Sequence, residues 1–238
     1  MHSKINLKGK IALVTGANQG IGFELCRQLA NLGCEVILTS RNITKGTSSV
    51  KKLREENIDV IYHSLDIADF KSVVQIYNYI SDEFHRLDIL INNAGIYIDS
   101  EYIDNISSNK IIETLTTNAF GPLYTCQQFI PLMQKNNFGR VVNISSGMGV
   151  IQAMNYDGPA YRISKATLNA ITVMFSKRNS NKNVLINAVC PGPVRTNMSS
   201  PKINKTPSDV CPFIIDVCRL PNGSFSGYLF KDSEIINW

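Results

Sequence analysis

The chain has 238 residues, 44% of them hydrophobic and 18% charged, with a formal net charge of +5. That length and apolar content suit one large α/β domain over residues 1–238, because no Pro/Gly/Ser-rich linker, charge block or internal repeat divides it. The basic residues are scattered, which argues against a nucleic-acid surface. The six cysteines (Cys26, Cys34, Cys126, Cys190, Cys211, Cys218) form no C-x-x-C pair, and His2, His63 and His85 are dispersed, so a reducing compartment and no metal site are expected.

The start, Met1-His2-Ser3-Lys4, has no long apolar stretch behind its charge, and the apolar runs further on are strand-sized. Neither a secretory signal nor a membrane span is expected, and a cytoplasmic chain is. Strand-length runs at residues 11–14, 36–39, 60–63, 89–91, 141–144, 185–189 and 227–230 alternate with amphipathic stretches. The stretches predict helices beginning near Gly20, Thr44, Asp69, Ser108, Ala160 and Pro207. Such alternation predicts a Rossmann-type, doubly wound parallel sheet of about seven strands flanked by helices, with ligands at the C-terminal strand ends. The sequon Asn143-Ile144-Ser145 falls in one of these buried strands, which suits a cytosolic chain.

Two stretches carry chemistry. Thr15-Gly16-Ala17-Asn18-Gln19-Gly20-Ile21-Gly22 joins the first strand to the first helix, where bare backbone N–H groups at a helix start can receive a pyrophosphate. Far downstream, Tyr161 and Lys165 lie one helical turn apart on one face. An ammonium beside a phenol favours the phenolate, so Lys165 is expected to lower the pKa of Tyr161 from its ordinary value of about 10.

Between them lie Asp66 in Leu65-Asp66-Ile67, the run Asn92-Asn93-Ala94-Gly95, Asn118, Ser145-Ser146, and Asn187-Ala188-Val189-Cys190-Pro191-Gly192-Pro193-Val194-Arg195-Thr196. In this order the motifs resemble the short-chain dehydrogenase/reductase family from Lys10 to about Met198. The ending Gly227-Tyr228-Leu229-Phe230 is similar to small carbonyl reductases of that family. The resemblance implies a cofactor half over about residues 1–120 and a catalytic and substrate half over about 121–238.

It also implies roles. Gly16, Asn18, Gln19, Gly20, Ile21 and Gly22 would hold the pyrophosphate. Asp66 and Ile67 would meet the adenine, although Asp66 can also be read as a helix cap or loop acid. Asn92, Ala94 and Gly95 would pass the ribose. Pro191, Gly192, Val194 and Thr196 would reach the nicotinamide. Ser40 stands where NAD-preferring relatives carry an acid, and Arg41 with Lys45 offers cations to a 2′-phosphate, so NADP(H) is expected. Gln19 departs from the basic residue common there in NADP(H) relatives.

Tyr161 would act as general acid, Lys165 would also hold the ribose, Ser146 would hold the substrate oxygen with Ser145 as the alternative, and Asn118 would hold a water through its backbone. Met148, Ile151, Met154, Tyr156 and Tyr97 either line an apolar pocket for a carbonyl or alcohol substrate or are ordinary packing residues. An NADPH-dependent carbonyl reductase is expected. Its rivals are an alcohol dehydrogenase or 3-oxoacyl reductase, and, in another class, a non-catalytic NADP(H)-binding regulator. The resemblance allows a homodimer or homotetramer.

Overall fold

In the computed structural model, which describes residues 4–99, 101–199 and 201–238, eight strands form one sheet whose spatial order is third, second, first, then fourth to eighth in the chain. His2 lies outside the described residues. The strands are β1 Ile11–Val14, β2 Glu35–Ser40, β3 Ile61–Ser64, β4 Ile89–Asn92, β5 Gly139–Ile144, β6 Val184–Cys190, β7 Leu229–Lys231 and β8 Glu234–Ile236. All pair in parallel except β7 with β8. The antiparallel β8 was not expected from the sequence. It returns through Asp232 and Ser233, both at positive φ (48° and 70°), the geometry of a tight hairpin turn.

The helices are α1 Gly20–Asn31, α2 Ile43–Glu55, α3 Phe70–Phe84, α4 Ser108–Leu115, α5 Gly121–Lys135, α6 Pro159–Arg178 and α7 Pro207–Cys218. A π turn, Thr116–Phe120, links α4 to α5, so the helix expected from Ser108 runs on as one rod with a local expansion. Asn42, Asp69 and Ser107 accept from first-turn N–H groups of α2, α3 and α4, and a Thr206–Asp209 capping box opens α7.

Central strands are buried on both faces, as parallel sheets require. Because side chains alternate, Ala12 and Val14 join the core under α1, α2 and α7, while Ile11 and Leu13 join the one under α3 and α5. Each fully buried Leu or Ile contributes roughly 1.5–3 kcal/mol, so both faces are firmly clamped. All six cysteines are free and buried. Burial pushes the thiols of Cys26, Cys34, Cys126, Cys211 and Cys218 up. Among the described residues no helix is long and apolar enough to cross a membrane.

Strand order reverses between β1 and β4. The crevice beyond their C-terminal ends is therefore the place where this topology receives ligands.

Candidate active site

The glycine-rich turn leaves β1 at this crevice and packs on the loop after β4. Gly16 has φ +61°, and a Cβ there would stand 2.7 Å from Ala94 Cα, so only glycine permits the approach. Asn93 staples the two segments, donating to Thr15 O at 2.9 Å and Gly16 O at 3.1 Å. Thr15 Oγ1 accepts from the main-chain N–H groups of Asn93 and Ala94, both at 3.0 Å. Gly22 sits behind the turn, where a Cβ would fall 2.5 Å from Asn93 Nδ2.

Unlike α2, α3, α4 and α7, helix α1 has no side-chain cap at its start, and its first turn, like those of α2, α3 and α4, holds no acid. Its N-terminus opens on a cleft of about 330 Å³. Uncapped donors at the positive end of a helix, set beside bare glycine backbone, fit a pyrophosphate. A larger hollow of about 610 Å³ lies at the opposite ends of β2 and β3, around Glu35, Lys51 and Arg54, with none of the residues picked out for chemistry.

Gly16, Asn18, Gln19, Gly20, Ile21, Arg41, Lys45, Asp66, Ile67, Ala94, Gly95 and Thr196 all line the cleft. Arg41 and Lys45 face it without an acidic partner among the described residues. Asp66 lines it while its Oδ1 accepts from Ala68 N–H at 3.0 Å, so the loop-acid reading is also realised.

Several expected positions need correction, since they do not line the cleft. Ser40 does not line the cleft: it is 1% exposed, donates to Asn42 O at 2.9 Å and lies against Gly46. Asn92 also turns away, donating to Asn143 Oδ1 at 2.8 Å and accepting from Thr125 Oγ1 at 2.7 Å. Adjacent strand residues point to opposite faces, so Asn93 faces the turn in its place. Pro191 and Val194 are buried and Gly192 bends the chain at φ +72°; these three carry Thr196 to the cleft rather than line it. Sequence reading also missed Asn197, whose Nδ2 donates to Gln19 Oε1 at 2.9 Å, joining the loop after β6 to the glycine-rich turn.

Beyond the inner end of the cleft the second motif assembles. Lys165 is buried, and its Nζ lies 3.7 Å from where a Cβ on Gly95 would be. It donates to Ile144 O at 2.8 Å and stands 5.5 Å from the centre of the Tyr161 ring. Ser146 stands near enough to the Tyr161 phenol to favour its ionised form. Ser145 instead donates to Asn169 Oδ1 at 2.6 Å, inside the protein. Geometry therefore favours Ser146 as the site serine.

Burial pushes the Tyr161 phenol up to about 12, opposed in part by nearby Ser146. Burial lowers the Lys165 ammonium to about 8. The expected depression of the phenol by Lys165 is thus not seen, because the ammonium is held toward Ile144 and desolvation dominates at Tyr161.

Asn118, fully buried in the π turn, commits its side chain to Ile96 N–H at 2.8 Å, Ile96 O at 2.9 Å and Ser164 Oγ at 3.0 Å. Only its main chain is left to serve the site. Tyr97 lies on Tyr161 with ring centres 4.9 Å apart, while Ile151, Met154 and Tyr156 are exposed.

The profile of the family described as short chain dehydrogenase matches residues 10–207. The chain is 33% identical to (+)-neomenthol dehydrogenase of Arabidopsis thaliana, covering 80% of this chain and 84% of that protein. It is 30% identical to carbonyl reductase [NADPH] 1 of Sus scrofa, covering 96% and 94%. The solved structure of salutaridine reductase from Papaver somniferum superposes with a TM-score of 0.82 at 28% identity, covering 94% and 99%. With a cleft at the sheet's reversal point and Ser146, Tyr161 and Lys165 beyond its inner end, this chain belongs to the short-chain dehydrogenase family, as an oxidoreductase of carbonyl or alcohol groups that uses a nicotinamide cofactor.

Proposed function

We propose that this protein is an NADPH-dependent reductase of hydrophobic aldehydes or ketones in which Tyr161 is the general acid. The observation that carries the reading is the gathering of Ser146, Tyr161 and buried Lys165 beyond the inner end of a cleft whose outer end presents Arg41 and Lys45.

The cofactor, when bound, supplies the hydride. Arg41 and Lys45 meet the 2′-phosphate, and the turn from Gly16 to Ile21 holds the pyrophosphate. Ser146 fixes the carbonyl oxygen of the substrate, and the Tyr161 hydroxyl delivers a proton to that oxygen as charge develops on it. A phenol held up to about 12 keeps that proton across the physiological range. Lys165 places a cation beside the ribose and the phenol, and the Asn118 main chain in the π turn supports proton return from solvent. Tyr97 and Met148, which meet at Gly158 beside Tyr161, give the mouth its apolar character, which suits a hydrophobic carbonyl.

Turnover of a panel of hydrophobic aldehydes and ketones with NADPH and NADH tests the reading. Tyr161→Phe should lower kcat about 10²–10⁴-fold while NADPH affinity holds. The reading fails if the variant keeps more than about a third of wild-type kcat on every accepted carbonyl, against that expected loss, or if no carbonyl is reduced.

A further inference from the structure

Helix α6 carries both Tyr161 and Lys165, yet it lacks a cap of its own. Its N-cap is Gly158, with φ +57° and no side chain, and Pro159 follows without an N–H. The missing acceptor comes from elsewhere. Asp99, in the loop after β4, accepts from Tyr161 N–H through Oδ2 at 3.0 Å, across 62 positions of sequence. A carboxylate suits this place, because the N-terminal end of a helix is positive.

Two further contacts tie the same loop to the start of α6. Tyr97, two residues before Asp99, lies against the Tyr161 ring. Its hydroxyl would be 2.9 Å from a Cβ on Gly158, so it also covers the start of the helix. The other oxygen of Asp99 is buried without a hydrogen-bond partner among the described residues. An unpaired buried carboxylate oxygen is costly, so this acid is not explained by stability alone.

We propose that Asp99 is a positioning residue for Tyr161, fixing the tyrosine's main chain from the neighbouring loop and thereby the place of its hydroxyl against Ser146. The inference rests on Tyr161 being the general acid and goes beyond it by naming what holds that acid in place. A shift of about 1 Å at a reacting group can cost about a hundredfold in rate, so the cap should register in kcat.

The test measures kcat, KM, NADPH affinity and amide hydrogen exchange in wild type, Asp99→Ala and Asp99→Asn, at temperatures well below each melting midpoint. Asp99→Ala should lower kcat by about ten- to a hundredfold, with KM and NADPH affinity nearly unchanged. Asp99→Asn keeps an acceptor oxygen and should restore most of the rate, since Asn caps helices about as well as Asp. In wild type the Tyr161 amide should exchange far more slowly than that of Ala160. A folded Asp99→Ala with wild-type kcat, an Asn variant as slow as the Ala variant, or a freely exchanging Tyr161 amide in wild type would each overturn the proposal. If Asp99→Ala does not fold, the wild-type exchange rates and the Asn variant still decide. If wild type reduces no carbonyl, the functional reading has failed, while the exchange data still report whether Asp99 holds Tyr161.

Discussion

At Lys165 burial favours the neutral amine and brings the group to about 8, while at Tyr161 the same burial preserves the proton to about 12. As pH rises, the lysine therefore loses its charge long before the tyrosine ionises. If the Lys165 cation supports cofactor capture, kcat/KM for NADPH, which reports groups of the free enzyme, should be level through neutrality and fall above about pH 8. A profile still level two units above that point would show that Lys165 does not act through its charge. Arg41 offers a second test at this scale. A hydrogen bond between charged groups contributes about 1.5–3 kcal/mol, so Arg41→Ala should weaken NADPH about ten- to a hundredfold and leave NADH nearly untouched, with Lys45 softening the loss. Dissociation constants of both cofactors at matched ionic strength check this, and a wild type that prefers NADH would contradict it. Ser40 is a poor place to build an acid, since its side chain is already packed beneath Gly46.

Helix α2 brings Lys45 to the cleft only because Gly46 lets it lie close to the sheet. A Cβ at Gly46 would stand 2.1 Å from Tyr62 Cε2 and 2.5 Å from Ser40 Oγ. Gly46→Ala should therefore destabilise the fold by about 1–3 kcal/mol, as overpacking does, although alanine is the better helix former. Denaturant unfolding would measure the change, and a stabilised variant would show that α2 can shift freely. Other element-scale features were open to sequence reading: every expected strand and helix start falls within two residues of its structural counterpart. Periodicity and turn residues are local signals, so they survive in a single sequence. The hairpin strand β8 is three residues long and too short to show a period. Side-chain direction at the motif ends was also hidden, because Asn92 and Asn93 are chemically identical and only the register of β4 decides which one faces the turn. Asp99 left no signal, since its partner is 62 positions away.

Across the whole molecule, one sheet runs through both halves of the chain. Ile5 exchanges hydrogen bonds with Arg219 just beyond α7. Arg140, 1% exposed at the start of β5, donates to Leu220 O at 2.9 Å, Gly139 O at 2.7 Å and Asn222 Oδ1 at 2.8 Å, with no carboxylate partner among the described residues. The six buried cysteines have a consequence of a different kind. A thiol must be reached and must ionise before it attacks a disulfide reagent, and here burial blocks access to all six while raising the pKa of five. The protein therefore carries a label-free stopwatch for its own opening. At neutral pH a colourimetric disulfide reagent should titrate no thiol rapidly in the folded chain and all six in denaturant. The slow native-state colour should then follow the rate or population of global opening, and saturating NADPH should slow it by mass action. A thiol that reacts at once in the folded chain would refute this, and would mark a seam in the interior that opens without unfolding.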